Sequence, residues 1–164
     1  MKRLLLLLFL MGAIALGLVI QAAAGPNDGK VLKFDRMAPV VLPFTGTTNP
    51  IRGLNGGGVP WALTSAEGQL RADGRLRIEV VGLIIPARGT NPVAAFRGVV
   101  NCLTRESPTS GVNLVTDPFP ATPEGDATIE ARVALPTPCI APIVFVTSGT
   151  GAPPGAWFAT TGTG

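Results

Sequence analysis

The chain has 164 residues, 46% of them hydrophobic, with 13 Lys and Arg against 10 Asp and Glu and no histidine. That length suits one domain with its own core. The missing histidine excludes Ser-His-Asp and Cys-His hydrolases, His-ligated zinc or copper, and the easiest general base near neutral pH.

Met1-Lys2-Arg3 is a short positive head, Leu4 to Ile20 is apolar throughout, and Ala22-Ala23-Ala24 supplies small residues. This order predicts a secretory signal peptide over residues 1–24, cleaved between Ala24 and Gly25, and a single secreted domain over 25–164. The alternative is an uncleaved membrane anchor, because Leu4 to Ala24 is long enough to span a bilayer. That segment is the one membrane contact the sequence offers. The small-residue site directly after the apolar run, with no basic cluster behind it, favours cleavage.

Without Lys2 and Arg3 the chain keeps 11 cationic side chains against 10 carboxylates, a net of +1. Overall charge therefore implies no polyanionic partner. The absence of a Lys/Arg run removes the usual nucleic-acid footprint.

Past the leader, apolar runs are short, rich in Val, Ile and Phe, and broken by Gly, Pro, Asn and Asp, which is an all-β pattern. Val31 to Arg36 reads as a first strand. Pro39 and Pro43 confine the next segment to a sheet edge or irregular structure. Ile51 to Pro60, with three consecutive glycines, reads as a flexible connection, and Trp61 to Ser65 as a strand. Asp73-Gly74 between two β-like runs is a hairpin signal. After it Leu76, Ile78 and Val80 alternate with Arg75, Arg77 and Glu79, giving one buried and one wet face. Beyond Val80 the apolar run continues on both faces, as for a strand going under cover.

Val93 to Thr104 is the next strand, with Phe96, Val100 and Cys102 on one face, followed by a short one over Val112 to Thr116. Ala127 to Leu135 alternates well. Ile140 to Thr147 is apolar enough to be central, and Gly155 to Thr161 closes the set. Roughly seven to nine strands predict a single antiparallel β-sandwich, loosely Ig-like, with a small β-barrel as the competing architecture. In general look the chain resembles small exported bacterial β proteins.

Cys102 and Cys139 are the only cysteines, and in an exported chain they predict one disulfide. Two Cys without His fall short of a zinc site, so no metal centre is expected from them. Between them lie Asp117, Glu124 and Asp126. These three, with Glu67, are the candidates for carboxylate-pair hydrolysis of a glycoside. With backbone carbonyls the three would also offer oxygen ligands to calcium, although their order does not match an EF-hand loop. Beside both readings stands plain turn chemistry at Asp117-Pro118 and Glu124-Gly125-Asp126. Trp61 and Trp157 are either a binding platform or core, and a sandwich favours core. "LNGGGVPW" lacks the Lys-Ser/Thr of a phosphate loop.

The expectation for function is an exported, non-enzymatic β-sandwich that binds an envelope or extracellular ligand or serves as a structural module there, without a resident cofactor. The alternative is a small secreted carboxylate-dependent hydrolase acting on a polysaccharide.

Overall fold

The computed structural model describes residues 29–162 of the chain. The apolar leader and the cleavage point between Ala24 and Gly25 lie outside the described residues.

Ten strands follow one another: β1 (Lys30–Phe34), β2 (Ala38–Pro39), β3 (Ser65–Arg71), β4 (Arg75–Val81), β5 (Ala95–Leu103), β6 (Val112–Val115), β7 (Phe119–Pro120), β8 (Ala127–Arg132), β9 (Ile140–Ser148) and β10 (Trp157–Thr160). Among the described residues there is no helix. The strands form two antiparallel sheets packed face to face, not a closed barrel. One has the order β1-β3-β4-β8, the other β2-β10-β9-β5-β6, with β7 also pairing β5. The sandwich expectation is met. The strand number exceeds seven to nine because β2 and β7 are two-residue edge pieces with no sequence period to announce them.

Period-two alternation builds the smaller sheet. Leu76, Ile78 and Val80 of β4 are buried, with Ala66 and Leu70 of β3 and Ile129 of β8 beside them. Arg75, Arg77 and Glu79 face the opposite way, into water. The β3–β4 turn is made by Ala72-Asp73-Gly74. Gly74 donates its N–H to the Arg71 carbonyl at 2.9 Å and adopts φ 83°, a left-handed conformation that glycine takes without cost.

In the larger sheet, strand β5 is buried on both faces. Gly98 points inward: a Cβ there would lie 2.9 Å from Leu76 Cδ2 and 3.3 Å from Ile78 Cδ1. Its neighbours Val99 and Asn101 point outward, yet both are fully buried. Residues 41–60 cover them. Arg52 donates to the Asn101 side-chain carbonyl at 3.1 Å and to the Ala141 carbonyl at 2.7 Å. Asn101 in turn donates to the Ser110 carbonyl and to Asn113. Trp157 Nε1 donates to the Leu54 carbonyl at 3.2 Å, and Leu54 is 2% exposed.

The stretch read as a flexible connection is therefore a strap docked on the outer face of the six-stranded sheet. Its glycines serve close approach: Gly56 forms a parallel bridge to Trp157, and both Gly56 and Gly57 are buried.

Two further expectations change. Trp61 to Ser65 is not a strand. Ala62 alone bridges Ile84, and β3 begins at Ser65. Trp61 instead stacks on Phe158, centroids 4.0 Å apart, with Phe96 edge-on to Phe158 at 6.0 Å. The apolar run beyond Val80 does not continue as a strand either. Gly82 (φ 68°) turns the chain, and Leu83 and Ile85 are buried from a loop.

The Cys102–Cys139 disulfide is present. It ties the end of β5 to the residue before β9, where the register between those strands shifts between Asn101 and Leu103. Such a bond belongs to oxidising, extracellular surroundings. Among the described residues no helix is long and apolar enough to cross a membrane.

Candidate functional site

Asp117, Glu124 and Asp126 are all exposed. Asp126 serves the fold, since its Oδ1 accepts the Gly82 N–H at 2.8 Å. Around it, Leu83 donates its N–H to the Gly125 carbonyl and Asn91 to the Pro123 carbonyl. Residues 121–126 thus lace the crossover between the sheets to the 82–93 loop. The hydroxyl of Thr116 donates to the backbone carbonyl of Asp117; the Asp117 side chain takes no part in that bond. Among the described residues no group of three or more Cys, Asp or Glu gathers in a way that would hold a metal ion. Trp61 and Trp157, 4% and 2% exposed, belong to the core.

Chemistry-bearing side chains gather elsewhere, on the outer face of the four-stranded sheet. Register arranges them in rows across the strands. Lys33, Gln69, Arg77 and Glu130 are aligned in one row, Glu67, Glu79 and Thr128 in the next. At the hairpin end, Lys30 is opposite Arg71 and Arg75 is opposite Arg132. Glu67 and Glu79 lie toward one end of the strands, and Arg71, Arg75 and Arg132 toward the other.

An open groove of about 530 Å³ runs over the cationic end, lined by Gln69, Arg71, Arg75, Arg77, Glu130 and Arg132 among others. A smaller depression of about 330 Å³ adjoins it, with Lys33, Phe34, Asp35, Glu67, Arg77 and Glu79 in its wall.

The ion pairs partition these charges. Arg77 reaches Glu130 at 2.6 Å and also pairs with Glu79. Its pKa is raised above the ordinary arginine value, first by the hydrogen bond to Glu79 and then by the charges of Glu79, Glu130 and Glu67. Asp73, on the turn, receives Arg75 Nε at 2.7 Å and Arg132 at 3.5 Å. Its carboxyl is held below the usual range, first by the Arg75 backbone N–H and then by the cations. It is ionised at neutral pH, yet it offsets only one of two guanidinium charges. Among the described residues no ion pair reaches Arg71. The groove keeps a surplus of positive charge although the chain as a whole is nearly balanced.

Sequence reasoning placed Arg75 and Arg77 on a wet face but missed the groove. It is formed by β3, β4 and β8, and β8 lies some fifty residues away from β4 in the chain. The available signal was the pair of runs "LRADGRLR" and "EAR", whose arginines meet once the strands are paired in register.

Fold and face together define a disulfide-stapled two-sheet β domain with one open, charged sheet surface. Comparison with protein-family models, with curated proteins and with solved structures gives no match.

Proposed function

We propose that the protein is an exported, non-enzymatic binding module of the cell envelope, surface or extracellular space, and that it holds an anionic ligand on its four-stranded sheet. Export is supported by the N-terminal apolar segment and the disulfide. The observation that carries the binding reading is the groove lining: Arg71, Arg75, Arg77 and Arg132 against Glu130 as its carboxylate. Guanidinium groups are planar forks suited to carboxylate, sulfate and phosphate. Like charges placed directly opposite on neighbouring strands repel, and Asp73 offsets only one of the two at Arg75 and Arg132, which leaves positive charge for a ligand.

The test is retention on dextran sulfate beads at low ionic strength. The parent protein is expected to bind and to be released by salt. Arg71→Gln/Arg132→Gln should elute at clearly lower salt, whereas Arg105→Gln, exposed beyond β5, should elute with the parent. Equal elution of the double variant would remove the groove from the reading.

The alternative, a carboxylate-dependent hydrolase, draws on a different pair from the acids between the cysteines. Glu67 and Glu79 are direct cross-strand partners, and directly opposed residues hold their Cβ atoms about 5 Å apart. Retaining glycosidases use two carboxyl groups about 5 Å apart, a separation within reach of two opposed glutamates, with Glu79 also paired to Arg77. If this pair is catalytic, the parent releases reducing ends from polygalacturonate and Glu67→Gln does not. Absence of any such release by the parent sets the alternative aside.

A further inference from the structure

From the same groove we infer the shape of the ligand as well as its charge: a linear acidic polysaccharide lying across the strands, not a small anion. The inference rests on the binding reading above.

Three arginines stand on three adjacent strands. Arg75 of β4 is opposite Arg132 of β8, and Arg71 of β3 and Arg75 flank the three-residue turn. Neighbouring strands are about 4.8 Å apart, so the row extends over about 10 Å. A single carboxylate or sulfate spans one or two of these positions. A chain with charges repeated along its length meets them all, and each added contact is then intramolecular.

The neighbouring residues narrow the chemistry. One row further on, beside Lys33 and Arg77, lie Gln69 and Glu130, whose amide oxygen and carboxylate accept hydrogen bonds. Sugar hydroxyls donate to such groups; phosphodiester oxygens do not. Single-stranded nucleic acid is held largely by stacking on aromatic rings, and the outer residues of β3, β4 and β8 include none. Phe34 of β1 is turned into the core. Duplex nucleic acid needs a broad positive surface, but Glu67 and Glu79 bound the positive region within two rows.

The experiment measures binding of the full-length protein to immobilised polygalacturonate, with soluble competitors. Tetragalacturonate is expected to compete at least about tenfold better per mole than galacturonate. Arg71→Gln/Arg132→Gln should lose most of the tetramer's advantage while changing the monomer's weak effect little. Thermal melting of that variant verifies its fold; relief of like-charge opposition offsets the loss of the exposed Arg132–Asp73 contacts, so the midpoint is expected to change little.

Equal molar competition by monomer and tetramer would overturn the linear ligand while leaving anion binding in place. Tighter competition by a charge-matched duplex or single-stranded oligonucleotide would overturn the sugar chemistry. Failure to bind either polygalacturonate or dextran sulfate would remove the underlying reading and this inference with it.

Discussion

Removing the disulfide, as Cys102→Ala/Cys139→Ala, is expected to cost ~3–4 kcal/mol of stability. The bridge joins positions 37 apart in sequence, so its absence frees a long loop in the unfolded chain. That loop contains β6, β7, β8 and the crossover that carries the chain from one sheet to the other. Total stabilities of domains run to only ~5–15 kcal/mol, so this is a large fraction. The expected result in urea is a lower midpoint together with a steeper slope, because the unbridged denatured state exposes more surface. Far-UV circular dichroism should keep its sheet signal. The sheets do not depend on the bridge for their hydrogen bonds: β5 pairs β9 from Phe96 to Leu103 through backbone groups. A change below ~1 kcal/mol would mean that the reduced chain is already restricted, against the chain-entropy account.

The strands that could be read directly are those with one wet and one dry face. In β4 and β8 charged residues alternate with buried ones, so period two is visible. β9 was legible for the opposite reason, since a run with little polar content belongs in the middle of a sheet. The strap was not legible. "GLNGGGVP" has the composition of a mobile linker, and nothing local reveals that Val99 and Phe145 need cover on their outer side. That need arises from the pairing of β5, β9 and β10, which is a long-range fact.

The candidate site failed to appear for a related reason. Overall charge and charge runs are one-dimensional measures, and here both are bland. Arg71 and Arg75 are four residues apart around a turn, and Arg132 arrives from a strand far along the chain. Only register turns these separated arginines into a surface. Asp117, Glu124 and Asp126 gave the opposite impression: close in sequence, they form no metal-holding cluster, and Asp126 accepts the Gly82 N–H.

Trp157 carries the second large effect, and competing contributions decide its size. The residue is 2% exposed, packs on Phe145 with centroids 6.1 Å apart, and holds the strap with three hydrogen bonds. Two are backbone bonds, from its N–H to Asn55 and from Gly57 to its carbonyl, and these survive substitution. The third is the indole N–H to Leu54. Trp157→Ala removes that bond and leaves a large void, for which ~3–5 kcal/mol is expected. Trp157→Phe keeps most of the packing and gives up the N–H bond, worth ~1 kcal/mol, plus part of the ring. If packing dominates, Ala should cost at least twice as much as Phe in urea titrations. If the two variants lose the same amount, the bond and not the burial anchors the strap. The location of the damage is testable too. Limited proteolysis of Trp157→Ala should cut first within 41–60, because Arg52 would then be the main remaining side-chain anchor. Salt elution from dextran sulfate should match the parent under conditions where the variant is folded, since the arginine groove is on the other sheet. Cleavage starting in the 72–74 turn instead would mean that the strap supports both sheets and is not a local cover.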